Sequence, residues 1–503
     1  MVRDGDQLII GLPDAVRATL ARLAEAGHDA ALVGGSVRDL VSGTLPQDWD
    51  VATAAPPERV AQLFPGSTWT NRFGTVTVHV DGGPDVQVTT FRFEGPYLDG
   101  RRPASVAWGQ SLDEDLARRD FTVNAIAWRP MDLARGEGVL VDPHGGIADL
   151  QHGVLRAVGD PEARFGEDAL RMVRAARFAS RLGLDIDAAT ARAIRAHAAA
   201  AAELSGERIR DELLRMLEDA ARPPSAAFEL LERLGLLEVL LPELAALRGV
   251  PQSKALAGDA LDHSLRTADA LPPDRPLLRL AGLLHDVGKA TTLADGHFIG
   301  HEVEGARLAE AAGERLRLSR AELGWLVRLV RHHMFAYTPD WTDAAVRRFI
   351  RRVGVDLLDD LFALRVADNA ASGVPDPHAA GLDELRSRIE AVIADSPLTQ
   401  GQLAVDGRDL TAEVGLAPGP LVGELLRRLL EAVLDEPSLN RREPLLALAA
   451  QWAAEAGAGA HHADARAQAG EAVADGAAAT IGDPGAVPSR PRSPAQKEES
   501  PPS

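Results

Sequence analysis

The chain has 503 residues, of which 46% are hydrophobic and 25% charged, with a formal net charge of −20 and no cysteine. That length exceeds one compact core, so three or four domains are expected, and the missing thiols exclude disulfides and thiolate metal sites. The acidity argues against a general polyanion binder, whose phosphate contacts need clustered Lys and Arg, although a local basic patch can override the total.

The opening, MVRDGDQLII, is too polar for a secretory signal, and no apolar run reaches the roughly 18 residues of a membrane span. The expectation is therefore a cytoplasmic protein with no membrane partner. Asp14 to Ala26 reads as an amphipathic helix, and the apolar strand Ala30–Val33 follows. Val76, Val78 and Val80 alternate in one strand and Val86 and Val88 in the next, with the turn Asp81-Gly82-Gly83-Pro84 between them. From about residue 150 the Leu, Ala and Arg spacing is helical almost to 455, with breaks at Arg222-Pro223-Pro224, Leu271-Pro272-Pro273 and Gly373–Pro377. These breaks predict a head at 1–148, a neck at 149–250, a body at 251–375, a C-terminal helical region at 376–455 and a tail at 456–503. The tail is rich in Ala, Gly, Pro and Ser, cannot bury a core, and reads as disordered.

The first chemical constellation is Gly34-Gly35-Ser36-Val37-Arg38-Asp39 followed by Asp48-Trp49-Asp50. Glycines between a strand and a helix let backbone N–H groups approach a phosphate chain, and the helix N-terminus favours negative charge. Asp48 and Asp50, one residue apart in an extended segment, project from one face and can share metal ions. Alone, each feature is as well explained by a tight turn or a solvated strand end; together they suit in-line phosphoryl transfer with Mg²⁺. Residues 167–181 read as one helix, on which 171, 174 and 178 share a face with 177 and 181 close by.

These residues carry a family resemblance. GGSVRD with DWD, then Arg118-Arg119-Asp120-Phe121-Thr122-Val123-Asn124-Ala125, Glu167-Asp168-Ala169-Leu170-Arg171 and Glu207-Arg208-Ile209-Arg210-Asp211-Glu212-Leu213, resembles the bacterial tRNA nucleotidyltransferase and poly(A) polymerase family. The resemblance implies an α+β chain, with a small mixed sheet of five strands in a nucleotidyltransferase head and then an all-α neck, body and tail. It implies template-independent addition of CCA to tRNA from CTP and ATP, with Asp48 and Asp50 holding Mg²⁺ and Gly34, Gly35, Arg38 and Arg119 holding the triphosphate. Asp120 would meet the ribose and Asn124 the phosphate side. Asp168 and Arg171 would match the edges of cytosine and adenine, with Arg174 and Arg177 lining the same pocket. The length of Phe93 to Leu116 agrees with the family's flexible loop, which supports complete CCA addition over partial addition. Where the family usually carries Glu, this chain has Gln87, which cannot act as a base. Asp85, two residues earlier on the same face, is the candidate substitute. Arg347, Arg348, Arg351 and Arg352, and Arg427, Arg428, Arg441 and Arg442, are candidate phosphate-tracking clusters for tRNA or else solvated helix faces. Gly415 to Leu448 resembles the C-terminal segment of HD-containing members of the family. No obligate protein partner is predicted.

A second series, His263, His285-Asp286 and Asp368, with His301 and His332-His333 between, suits a divalent transition metal held by imidazole and carboxylate. It resembles the HD phosphohydrolase superfamily. That resemblance implies one metal on His263, His285, Asp286 and Asp368, a second completed by His301 and His332, and hydrolysis of phosphate esters; a spacer whose metal is structural is the alternative. For the whole chain the other readings are a poly(A) polymerase, a CC- or A-only enzyme, an HD phosphohydrolase with a non-catalytic head, and a non-catalytic RNA-binding module.

Overall fold

The computed structural model describes residues 2–455 apart from 5, 70–73, 81, 95–105, 109–110, 219–220, 253, 377–380 and 396–398. The tail 456–503, most of the expected loop between Phe93 and Leu116, and Asp81 of the expected hairpin turn lie outside the described residues. Among those described, the head carries β1 (Val2–Asp4), β2 (Gln7–Ile9), β3 (Ala30–Val33), β4 (Trp49–Thr53), β5 (Thr68–Trp69) and β6 (Thr75–Val78). Then come β7 (Val86–Thr90), β8 (Arg92–Glu94), β9 (Val106–Trp108), β10 (Ala127–Asp132) and β11 (Glu137–Val141).

Nine of these form one sheet in the order β1-β2-β11-β10-β3-β4-β7-β6-β5, while β8 pairs with β9 alone. Neighbours in the large sheet are antiparallel except β4 and β7, which run parallel with Asp50 aligned to Gln87. The mixed character matches expectation, but nine strands stand where five were implied. Edge strands of two or three residues, too short to display alternation, widen the sheet at both sides.

The period of two sorts the residues. Trp49, Val51, Val76, Val78, Val86 and Val88 face one core with Val16, Leu20 and Leu23 of the helix Asp14–Glu25. On the other face a smaller core joins Ala31, Val33, Ala52 and Ala127 to Phe91, Leu112 and Leu116. Beyond that small core, Asp50, Thr77, His79 and Gln87 stay exposed or half-buried, an open strip on the second face.

From Gly146 onward the described chain is mostly helical, with one short parallel strand pair joining 154–155 to 185–186. The expected breaks recur: Pro224 and Pro276 each sit in the first turn of a new helix, where a missing N–H costs nothing, and a helix ends at Ala371. The chain forms two compact units, residues 1–340 with 352–387 and residues 341–351 with 388–503. The second has its own apolar core of Val405, Leu410, Leu425, Leu429, Val433 and Leu445. Among the described residues no helix is long and apolar enough to cross a membrane.

Candidate functional site

The glycine turn after β3 is dictated by crowding. Gly34 has φ 71° and donates its N–H to the Ile126 carbonyl at 3.0 Å. A Cβ there would stand 2.6 Å from Nη1 of Arg119, so a side chain is excluded both by the dihedral and by the guanidinium. Behind the turn, Arg38 donates to Oδ1 of Asn124 at 2.7 Å and to Oδ1 of Asp39 at 2.7 Å. Arg119 donates to the Asn124 carbonyl at 3.2 Å and to Asp115 at 3.1 Å. Burial alone would raise the Asp115 carboxyl, but Arg119 and Arg118 hold it below its ordinary range. Gly34, Gly35, Arg38, Arg119 and Asn124 are thus brought together at one end of the sheet.

Asp48 is exposed and Asp50 half-buried, with Trp49 between them pinned in the core. Burial raises the Asp50 carboxyl and the Asp48 charge raises it further, against the pull of Arg119 and Arg38. A dication between the two carboxylates would offset that excess of negative charge. The register partner of Asp50 on β7 is Gln87, so the position beside the pair holds an amide. Asp85 accepts from His79 at 2.9 Å.

The helix expected at 167–181 is interrupted. Asp168 is extended at φ −148°, ψ 106°, and its carboxylate accepts from the Leu170 N–H at 3.0 Å, capping a separate helix Leu170–Leu182. The Asp168 and Arg171 side chains each take another partner. Arg208 donates to Asp168 at 2.7 Å, whereas Arg171 donates to Glu167 at 2.5 Å and to the Arg118 carbonyl at 3.1 Å. Asp120 is almost buried and accepts from Arg174 at 2.8 Å and from the Phe121 N–H at 2.9 Å. Burial would raise its carboxyl, but the Arg174 charge and hydrogen bond hold it below the ordinary value. Arg177 donates to Glu212 at 2.5 Å, and Arg174 lies 3.5 Å from the same carboxylate. The Arg177 guanidinium lies 4.1 Å from the Phe178 ring centroid and that of Arg174 5.1 Å. Glu167, Arg208, Glu212 and Phe178 were not assigned roles from sequence. Three of them lie inside the quoted motifs and Phe178 on the quoted helix face, so spacing alone could have nominated them.

In the histidine–aspartate body, His263, His285 and Asp286 form one group able to hold a metal, and Asp286, His301 and His333 form another. The second group corrects the sequence expectation: its member is His333, not His332. The helix Arg320–His332 ends there, and one residue further round, His333 turns inward to meet His301 at 3.3 Å. His332 instead lines a cavity of about 510 Å³ with Phe298, Ile299, Arg331 and Arg352, to whose wall the buried His301 also contributes. Asp368 joins the first group, 3.1 Å from Nε2 of His263. Asp286 spans both groups, Oδ2 lying 3.1 Å from His285 and Oδ1 3.4 Å from His301. Nε2 of His285 is buried 3.1 Å from Oδ2 of Asp286 in a poor geometry for a hydrogen bond, and a metal ion between the two atoms would satisfy both. Burial pushes the His263 imidazole down to about 4, the neutral form a metal requires. Two ammonium groups share the site. Lys254 donates to Nε2 of His263 at 2.8 Å and to Asp368 at 3.2 Å, and Lys289 donates to Asp286 at 2.6 Å. Two residues after Asp286 only glycine fits at 288, because the carbonyl of His301 would lie 2.1 Å from any Cβ there.

The first basic cluster is largely committed to structure. Arg347 is buried and donates to the Leu434 carbonyl at 2.5 Å, while Arg348 and Arg351 are ion-paired with Asp435 and Glu431. In the second cluster Arg442 pairs with Asp409 at 2.7 Å and Arg428 lies 4.2 Å from the Trp452 ring centroid. Both clusters are therefore weaker candidates for a phosphate track than their spacing suggests.

Four family models match in chain order. They are a poly A polymerase head domain over residues 30–156, an RNA and SrmB-binding site of polymerase A over 183–247, an HD domain over 259–373 and a tRNA nucleotidyltransferase domain 2 over 389–449. The chain is similar to the A-adding tRNA nucleotidyltransferase of Deinococcus radiodurans, 37% identical over 427 residues that cover 80% of this chain and 91% of that one. It is 34% identical to the CCA-adding enzyme of a Geobacillus strain over 423 residues, 84% and 92% of the two chains. A shorter match, 49% identical over 198 residues, spans 39% of this chain and 48% of the CCA-adding enzyme of Lactobacillus helveticus. The solved structure of the Bacillus stearothermophilus CCA-adding enzyme in complex with CTP aligns with a TM-score of 0.63 at 29% identity, covering 88% of this chain and 98% of that chain.

Two substitutions test the packing just described. Gly34→Ala should cost about 1–2 kcal/mol in urea unfolding, because alanine must adopt positive φ and displace Arg119. Glu212→Gln should cost more, about 3 kcal/mol, since it leaves the buried Arg177 without a counter-charge. Equal stabilities of Glu212→Gln and parent would mean that this network is not formed.

Proposed function

The chain belongs to the tRNA nucleotidyltransferase family that contains CCA-adding and A-adding enzymes, and from that premise we propose that it adds C, C and A to tRNA 3′ ends from CTP and ATP, releasing pyrophosphate. The observation that carries the reading is the convergence of the Asp48/Asp50 pair with the Gly34–Arg38–Arg119 turn on an open strip of the head sheet. Two carboxylates flanked by two guanidiniums are the charge pattern that a metal–triphosphate complex needs.

Asp48 and Asp50 would hold Mg²⁺, which neutralises the triphosphate and acidifies a coordinated hydroxyl. Arg38 and Arg119 would bind the phosphate oxygens, and the turn at Gly34 and Gly35 lets them come close to the backbone. On the base side, cytosine and adenine both offer an exocyclic amino donor beside a ring-nitrogen acceptor. Asp168 as acceptor and Arg171 as donor match that order, which uracil and guanine reverse. In the structure both are held by other side chains, so the incoming base would exchange with Arg208 and Glu167. Arg174 and Arg177, fixed by Asp120, Glu212 and Phe178, would keep the wall rigid while that exchange occurs. With tRNA as its partner, the protein would work in the cytoplasm.

A second reading, addition of A alone, is favoured by the 37% identity to an A-adding enzyme over most of both chains. Incubation of the protein and Mg²⁺ with tRNA lacking its 3′ end, with CTP and ATP together and singly, separates the cases when the products are sequenced. Three added residues reading C, C, A are expected. A single A added only to tRNA ending in CC would establish the second reading, and long A tails would identify a poly(A) polymerase. Asp50→Asn should reduce incorporation at least about a hundredfold.

For the body we infer a transition-metal site on His263, His285, Asp286 and Asp368, with Asp286, His301 and His333 as the second group, and hydrolysis of phosphate esters as its chemistry. The grouping of His263, His285 and Asp286 ligand atoms, with Nε2 of His285 buried against Asp286 outside hydrogen-bond geometry, supports metal binding. Replacing His285 and Asp286 by alanine together should remove bound metal, read by elemental analysis, and abolish phosphoesterase activity while nucleotide addition persists. Retained metal in that double variant would overturn the assignment.

A further inference from the structure

We propose that Asp85, held in place by His79, is the third carboxylate of the nucleotidyl-transfer site and receives the proton of the attacking hydroxyl, the task that Gln87 cannot perform. This inference rests on the reading of Asp48 and Asp50 given above.

The register of three strands defines the arrangement. Trp49 of β4 is aligned with Val86 of β7, and Val86 with Val78 of β6. One step inward, Asp50, Gln87 and Thr77 lie in one row, and one residue beyond the strand ends stand Asp48, Asp85 and His79, the last two in contact. The inward row is on the face opposite to Trp49, Val78 and Val86, which are buried, and Asp48, Asp85 and His79 are all exposed at the end of that face. Cross-strand neighbours stand about 5 Å apart and diagonal ones about 7–8 Å, so if the pairing of Trp49 with Val86 is continued by one residue, a carboxylate at 85 comes beside Asp48 and within diagonal reach of Asp50.

Asp85 is also fixed. Nδ1 of His79 lies 2.9 Å from Oδ1 of Asp85, and Nε2 of the same ring lies 2.9 Å from Oγ1 of Thr68 on β5. An imidazole exposed to 45% would ordinarily sample several rotamers, yet both of its nitrogens are engaged, across three strands. Oδ1 is taken by His79, so Oδ2 is the atom to which the proposal assigns the proton. In the proposed step the O3′–H bond breaks as O3′ bonds to the α-phosphorus, the bond from that phosphorus to the bridging oxygen breaks, and pyrophosphate leaves. The proton goes to Oδ2 of Asp85 and from there to water. His79 is a positioning residue in this account, and Asp85 a catalytic one.

The test is single-nucleotide addition to tRNA lacking its last residue, comparing the parent, Asp85→Asn, His79→Gln, Gln87→Glu and the Asp85→Asn/Gln87→Glu double variant, with Asp50→Asn alongside. Asp85→Asn should lower kcat about a hundredfold with KM for the nucleotide little changed, and His79→Gln should lower it less. Gln87→Glu should restore at least tenfold in the Asp85→Asn background, because it returns a carboxylate to the same face; a merely structural role for Asp85 would not be rescued this way. An Asp85→Asn variant with kcat within twofold of parent, or a loss that Gln87→Glu leaves untouched, overturns the proposal. If Asp50→Asn is fully active, the reading of the site itself fails; if Asp50→Asn is inactive and Asp85→Asn is not, only this inference fails. Nucleotide affinity and melting temperature measured on each variant keep a folding defect from passing as a catalytic one.

Discussion

Everything at the head depends on one face of the sheet staying partly uncovered. Asp50 and Gln87 each sit between two apolar neighbours driven into the opposite core, although only β7 alternates along its length, the residues of β4 after Asp50 all being buried. Trp49 and Val51 bracket Asp50, and Val86 and Val88 bracket Gln87. Burying such side chains is worth about 1.5–3 kcal/mol each, far more than any exposed polar contact on the strip, so the cores set the register and the register sets the site. The parallel pairing of β4 with β7 is the consequence that matters, because it puts positions 50 and 87 side by side.

The second constraint is electrostatic. A pocket for a polyanion needs several guanidiniums close together, and without a ligand they would repel one another in a partly buried space. Here each is matched: Arg119 by Asp115, Arg171 by Glu167, Arg174 by Asp120 and Arg177 by Glu212. In the proposed site the matching carboxylates would keep the arginines ordered before a nucleotide arrives. The same logic operates in the body, where Lys254 and Lys289 lie against the carboxylates of the histidine–aspartate cluster.

Much of this was legible in the amino-acid order. Asp14–Glu25 and β3, β6 and β7 follow from apolar runs, period and turn chemistry, and the phosphate turn follows from two glycines between a strand and a helix. What escaped was set by three-dimensional neighbours. The break at Asp168 is hidden because Glu167 to Arg171 keeps helical composition, yet the Asp168 side chain caps a new helix instead of continuing the old one. The choice of His333 over His332 turns on one residue of helix phase at a C-terminus, which spacing alone leaves open. Arg347 looked like an exposed basic residue and is a buried cap on the Leu434 carbonyl, a role visible only once a distant helix is packed against it.

The most direct test of the account is a structure of the protein with CTP and Mg²⁺ bound. The account predicts a triphosphate against Gly35, Arg38 and Arg119, metal between Asp48 and Asp50, and the cytosine edge on Asp168 and Arg171 after they release Arg208 and Glu167. Nucleotide bound away from the strip between β4 and β7, or a base that leaves both of those ion pairs intact, would contradict it.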